Sequence, residues 1–171
     1  MSDANWNACL AFVLAAEGGY VDDPLDPGGA TNMGITLQEL SQWRHAAVTK
    51  ADVQALGRDE AAAIYRTNYW NATRCADLPA GVDLMVFDAA VNNGCGRAAR
   101  FLQHAVGATA DGSIGPATLA AVTADKGAAV IAEIAAAREV FYRSLASFGH
   151  FGVGWLARLR EARVLAERLA G

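Results

Sequence analysis

The stretch E-G-G-Y-V-D-D-P-L-D-P-G-G-A-T-N-M-G-I-T, Glu17 to Thr36, decides how this chain is read. An apolar helical pattern runs up to it and stops at a glutamate followed by two glycines. Asp, Pro and Gly then crowd the next dozen residues. A turn uses two or three such residues, so the excess points to a segment that positions chemistry.

Upstream, Trp6, Leu10, Val13 and Glu17 are spaced 4, 3 and 4 apart, which puts them on one helical face. The spacing predicts a helix from about Asp3 to Ala16, stopped by Gly18 and Gly19. Glu17 then projects from the apolar stripe at the helix C-terminus. Desolvation and the negative end of the helix dipole both disfavour its charged form. A carboxyl that stays protonated near neutral pH is what a general acid requires. Asp26 follows nine residues later, across a loop rich in Pro and Gly. Thr31 lies five residues beyond, on the first strand of a predicted hairpin. A protonated Glu, a second carboxylate and a water-holding hydroxyl are the parts for cleaving a glycoside by direct hydrolysis. Asp22, Asp23 and Asp26 also suit an ordinary turn, and the D-x-D-x-D-G spacing of a calcium loop is absent.

The composition narrows the alternatives. A chain of 171 residues with 53% hydrophobic and 19% charged residues buries a substantial core. Its formal net charge of -4 argues against nucleic acid as a partner. The three cysteines, Cys9, Cys75 and Cys95, form no C-x-x-C pair and read as small buried residues. His45, His104 and His150 are scattered, so no metal or organic cofactor is expected. The N-terminus lacks the basic region of a signal peptide, and no apolar run reaches the roughly 18 residues of a membrane helix. Synthesis in the cytoplasm without membrane insertion is the expectation, with action elsewhere requiring release or delivery.

The remaining sequence is helical. Thr36-x-x-Glu39 and Thr49-x-x-Asp52 are capping boxes, the first opening a helix through Leu40 and Trp43, the second a short one closed by Gly57. Further helices are predicted from about Asp59 to Trp70, from Pro79 to Asn92 and from Gly96 to Val106, the last burying Ala98, Phe101, Leu102 and Ala105. Pro116 opens a short helix. Two long helices follow, with stripes at Val130, Ile134, Ala137, Phe141, Leu145 and Phe148, and at Trp155, Leu159, Ala162, Ala166 and Leu169. Asp88 and Asn92 share a helix face and are candidates for hydrogen bonds to sugar, against a solvated face as the alternative. Among Tyr65, Tyr69 and Trp70, core packing is the default, with Tyr69 the candidate for a sugar-binding surface. Tyr20, directly after the glycines, is a candidate for the border of a cleft.

The run E-G-G-Y-x-x-D-P-x-D-P-G-G-A-T-x-x-G-I-T resembles the signature of glycoside hydrolase family 108, N-acetylmuramidases of phages and bacteria. The order Glu, Asp, Thr is also similar to phage-type lysozymes, although the interval from Asp26 to Thr31 is one residue shorter than usual there. I-Y-R-T-N-Y-W (Ile64 to Trp70), F-D-A-A-V-N-N-G (Phe87 to Gly94) and G-V-G-W-L-A-R (Gly152 to Arg158) resemble later landmarks of the family. F-L-Q-H-A-V-G-A-T-A-D-G-S-I-G-P-A-T (Phe101 to Thr118) is similar to the L-Q…D-G-x-I-G-P-x-T pattern of peptidoglycan-binding helical domains.

The resemblance implies a mostly α, α+β lysozyme-like fold, with a small hairpin-bearing N-terminal lobe, a helical remainder and a cleft between them. Residues 1–95 would form the catalytic region, and 96–171 a peptidoglycan-binding-like region packed into the same globule. It implies hydrolysis of the β-1,4 bond between N-acetylmuramic acid and N-acetylglucosamine. Glu17 would be the acid, Asp26 the charge stabiliser or water activator, and Thr31 the water holder. The expected partner is the peptidoglycan glycan strand, met in the periplasm or cell wall by a monomer that a holin or secretion machinery delivers. Two rivals stay open. A non-catalytic peptidoglycan-binding or secretion-assisting protein would keep the fold and lose the chemistry. A lytic transglycosylase would use Glu17 but close an anhydro ring in place of admitting water.

Overall fold

The computed structural model describes residues 5–22, 29–122 and 127–171. It divides into two compact units, residues 10–68 and residues 1–9 with 69–171. Secondary structure is almost entirely helical, with one two-stranded antiparallel sheet among the described residues.

The smaller unit takes in most of α1 (Trp6–Glu17), whose Leu10 and Val13 are buried. The helix ends where the sequence stops it, at Glu17, with Gly18 at φ +77° just beyond. Strands β1 (Thr31–Asn32) and β2 (Ile35–Thr36) pair Thr31 with Thr36 and Asn32 with Ile35. Met33 and Gly34 form the two-residue connection, at φ 50° and 74°. Both positive values are what a hairpin turn of the twist-matching kind demands. Val21 adds a bridge to Thr31, exchanging backbone hydrogen bonds of 2.9 and 2.8 Å.

Both capping boxes form. Thr36 opens α2 (Leu37–Arg44), its hydroxyl accepting from the Glu39 N–H while the Glu39 carboxylate accepts from the Thr36 N–H. Thr49 and Asp52 do the same for α3 (Lys50–Gln54). Asn32 reaches across to α3, donating to the carbonyls of Val53 and Gln54 at 3.0 and 3.2 Å, and so fastens the hairpin to it. Next comes α4 (Arg58–Tyr65), whose Glu60 takes two hydrogen bonds from Arg44. The predicted helix to Trp70 changes character here: Arg66–Asn71 is a π-helical turn.

The larger unit packs α5 (Val82–Asn93), α6 (Cys95–Val106), α7 (Pro116–Ala121), α8 (Gly127–Ser144) and α9 (Phe148–Ala170). Helix α5 is its centre, buried at every position from Val82 to Ala90 and packed against α6, α8 and α9. Trp6, Trp70 and Phe87 form an aromatic cluster with centroids 5.2 to 5.6 Å apart. Cys9 and Cys75 are fully buried, and burial pushes both thiols well above the usual range. Asp83 at the start of α5 accepts from the Gly81 and Leu84 N–H groups and from the Asn5 amide. Its burial nonetheless raises its pKa, only partly opposed by those bonds.

The α8 stripe differs from the prediction. The buried side carries Val130, Ile131, Ile134, Ala135, Arg138 and Tyr142, whereas Ala137, Phe141 and Leu145 are only half-buried. An arginine belongs to the core side because a buried carboxylate on α5 meets it there. The α9 stripe holds better, with Leu159, Ala162 and Ala166 buried.

The L-Q…D-G-S-I-G-P-A-T motif is a folding device. Gln103 on α6 is 1% exposed. Its amide nitrogen lies 2.7, 2.9 and 3.2 Å from Asp111 Oδ1, the Ser113 carbonyl and Thr118 Oγ1, and its oxygen accepts from the Gly112 N–H. Gly112 sits at φ +85° with Arg100 and the Gly96 carbonyl close to where a Cβ would lie, so the position requires glycine. The polar residues of the motif thus satisfy one another and clamp the loop between α6 and α7.

Candidate active site

Glu17 closes α1 and is half-buried. The hairpin turn comes up against it. A Cβ placed on Gly34 would lie 2.8 Å from Glu17 Oε2 and 2.6 Å from the Tyr65 hydroxyl. Glycine at this position therefore does two jobs. It allows φ +74°, and it lets the backbone approach a carboxylate and a phenol that any larger residue would displace. Tyr65 is 2% exposed and donates to the Met33 carbonyl at 2.8 Å, which holds the turn in place from the α4 side.

Helix end, hairpin turn and α4 thus converge on one carboxylate. The tyrosine that sequence reasoning set aside as core is the one beside Glu17. Its signal was weak, since Tyr65 and Met33 lie 32 residues apart in the chain. Thr31 lies on β1, half-buried, with its backbone held by both Val21 and the Thr36 pairing. Tyr20 is 36% exposed, three residues past Glu17. Asp26 lies outside the described residues.

Tyr69, Asp88 and Asn92 belong to the other unit. Tyr69 is half-buried in the π-helical turn, its carbonyl accepting from the Thr73 hydroxyl at 2.6 Å. Asp88 stands on neither a solvated nor a sugar-facing surface: it is 0% exposed. Its Oδ2 accepts from Arg138 at 2.7 Å, and its Oδ1 from Arg158 at 2.9 Å and Asn92 at 3.2 Å. With every oxygen taken and no surface left, its carboxylate serves the interior. Burial alone would push the Arg138 guanidinium down, but Asp88 and the Tyr142 hydroxyl outweigh it and hold it above its ordinary value. Asn92 is exposed at the rim of this cluster.

Among the described residues no group of three or more His, Cys, Asp or Glu is arranged to hold a metal ion, and no helix is long and apolar enough to cross a membrane.

A carboxylate at a helix end beneath a glycine-bearing hairpin turn fits a glycoside hydrolase, and the comparisons give the family. Residues 10–94 match the family described as glycosyl hydrolase 108, and residues 97–160 match one described as a predicted peptidoglycan domain. The solved structure of Brucella abortus SagA is similar at 44% sequence identity and a TM-score of 0.89, covering 99% of this chain and 97% of that one. No protein of curated function matches. The chain belongs to the glycosyl hydrolase 108 family and has its mostly α, lysozyme-like fold. Its function is of the peptidoglycan hydrolase type.

Proposed function

We propose that the chain is an N-acetylmuramidase that hydrolyses the β-1,4 bond between N-acetylmuramic acid and N-acetylglucosamine. The observation that carries this reading is the Glu17 carboxyl, half-buried at the end of α1 against the Gly34 turn and beside the Tyr65 hydroxyl. In that reading Glu17 gives its proton to the glycosidic oxygen as the bond to the anomeric carbon breaks. Water adds to that carbon and releases a proton. Asp26 stabilises the developing positive charge or takes that proton, and Thr31 orients the water. Tyr20, Tyr69 and Asn92 contact the glycan. Residues 1–95 carry the chemistry and 96–171 the wall-binding region. The enzyme meets its substrate in the periplasm or cell wall, after release through a holin or delivery by a secretion machinery.

The products test the reading. Mass spectrometry of digested peptidoglycan is expected to show fragments ending in reducing N-acetylmuramic acid. Fragments with mainly 1,6-anhydro ends would make the protein a lytic transglycosylase, and intact walls would make it a non-catalytic wall-binding protein.

A further inference from the structure

The larger unit carries a hollow that none of the proposed bond-breaking groups lines. It has a volume of about 340 Å³. Asn92 and Asn93 at the end of α5, Arg97 on α6, Phe141 and Tyr142 on α8, and Trp155 on α9 line it. It joins the last residues of the hydrolase match to the peptidoglycan-domain match.

One side of this hollow is aromatic. Phe141, Tyr142, Trp155 and Phe151 follow one another with centroids 5.8, 5.5 and 5.8 Å apart. Phe151, at the outer end, is 53% exposed. The other side is cationic. The Arg97 guanidinium lies 4.1 Å from the centroid of Phe141, and no carboxylate among the described residues pairs with it. Stacking of this kind fixes the plane of the guanidinium and leaves its N–H edge for a planar, two-oxygen acceptor.

The background charge points the same way. Behind the wall, Tyr142 donates to Asn93 at 3.2 Å and accepts from Arg138 at 3.0 Å. Two arginines, the buried Arg138 and the partly exposed Arg158, bond to the carboxylate of Asp88 there. Nε and Nη1 of Arg138 are buried without an acceptor among the described residues. Among the described residues no acidic side chain lines the hollow, although the chain as a whole carries -4. A cationic, aromatic-walled hollow with amide groups at its rim, set in an acidic protein, selects an anionic ligand with small apolar groups.

We propose that this hollow binds the stem peptide of peptidoglycan through a free carboxylate held by Arg97, with the peptide's methyl groups against Trp155 and Tyr142. This rests on the reading that peptidoglycan is the substrate. It adds a second foothold, on the peptide and not on the sugar chain, that would favour strands with uncapped stems.

Four soluble probes test it by calorimetric titration and amide chemical-shift mapping: a disaccharide bearing a tetrapeptide with free carboxylates, the same compound amidated, the disaccharide alone, and an all-L acidic tetrapeptide. The free-carboxylate compound is expected to bind at least about tenfold more tightly than the other three, about the worth of one charge-assisted hydrogen bond. It should shift Arg97 and the Trp155 indole, and Arg97→Gln should bring its affinity down to that of the amidated form. Arg97 is exposed, so this variant keeps the fold, which circular dichroism checks. Equal binding of the amidated compound or the bare disaccharide would overturn the proposal, as would equal binding of the all-L peptide or an undiminished Arg97→Gln variant. Wall clearing measured in parallel separates the two readings. Cleaved walls with no binding at Arg97 defeat only this proposal. Binding without cleavage defeats only the muramidase assignment.

Discussion

The two units use side-chain hydrogen bonds in different ways. In residues 10–68 the bonds that open helices are short in sequence, Thr36 with Glu39 and Thr49 with Asp52 each spanning three residues, while Asn32 and Tyr65 tie the hairpin to its neighbours across 21 and 32. In the larger unit the decisive bonds are long: Asp88 reaches Arg138 across 50 residues and Arg158 across 70. Local pairs fix where α2 and α3 start, and the bonds of Asn32 and Tyr65 hold the hairpin beside Glu17. Distant pairs fix how finished helices pack. The smaller unit is therefore built to present one carboxylate, and the larger to keep one hidden.

The largest expected effect tests the hidden carboxylate. Asp88→Asn takes the buried counter-charge away from Arg138 and should cost about 3–5 kcal/mol, the usual range for breaking a buried pair from one side. Urea unfolding measures it. The fraction that remains folded should cleave walls at close to the wild-type rate. Lost cleavage with unchanged stability would return Asp88 to the substrate and erase the contrast between the units.

The presented carboxylate behaves in the opposite sense. Glu17→Gln keeps the shape and removes the transferable proton, so wall clearing should fall by at least about a hundredfold, the low end for removing a general acid. The melting temperature should stay the same or rise, as where a fold tolerates a functional group at some cost. A variant that still clears walls at near wild-type rate would end the catalytic assignment, and one that is inactive because it unfolds would make Glu17 structural.

Gly34→Ala sharpens the comparison within the small unit. A Cβ at φ +74° costs about 1–2 kcal/mol in backbone strain alone. It also displaces the Glu17 carboxylate or the Tyr65 hydroxyl. Clearing should drop by roughly tenfold, short of the roughly hundredfold that a full 1 Å misplacement brings. If thermal stability falls while the rate per folded molecule holds, the turn is structural and does not position Glu17.

The same difference in range governs what the sequence reveals. The capping boxes, the glycine stop after Glu17 and the hairpin all follow from neighbours within a few residues, and all are legible, whereas Gly57 opens α4 rather than closing α3, and Cys95, unlike Cys9 and Cys75, is only half-buried. Glu17 is legible as a candidate because an acidic residue interrupts the stripe of Trp6, Leu10 and Val13. Tyr65 is not, because helical spacing places it equally well in the core and the Met33 carbonyl it meets belongs to another element. Arg138 fails for the same reason. A charge on a buried face is admissible only if its partner is known, and Asp88 itself read as a surface residue. The π-helical turn at Arg66–Asn71 has no local signature, since R-T-N-Y-W-N continues the preceding helix without a Pro or Gly.

The smallest expected effect is a change of slope, and it tests whether the larger unit hides a second carboxyl under strain. Asp83 sits 4% exposed at the start of α5. Burial raises its pKa chiefly by desolvation, against the opposing bonds from Asn5, Leu84 and Gly81. A raised folded-state value means that ionisation opposes folding. The contribution of this group to stability is complete below its unfolded value of about 3.9 and is lost as pH rises through the folded value. Asp83→Asn retains an oxygen for the Gly81 and Leu84 N–H groups but no longer ionises. The stability of the wild type relative to this variant should therefore be flat at the acid end and decline as pH rises above about 4. Urea midpoints of both proteins across that range measure it. A difference that stays constant with pH, or that favours the wild type as pH rises, would mean that the three hydrogen bonds outweigh desolvation. Asp83 would then be a well-served helix cap, and the contrast between the units would rest on Asp88.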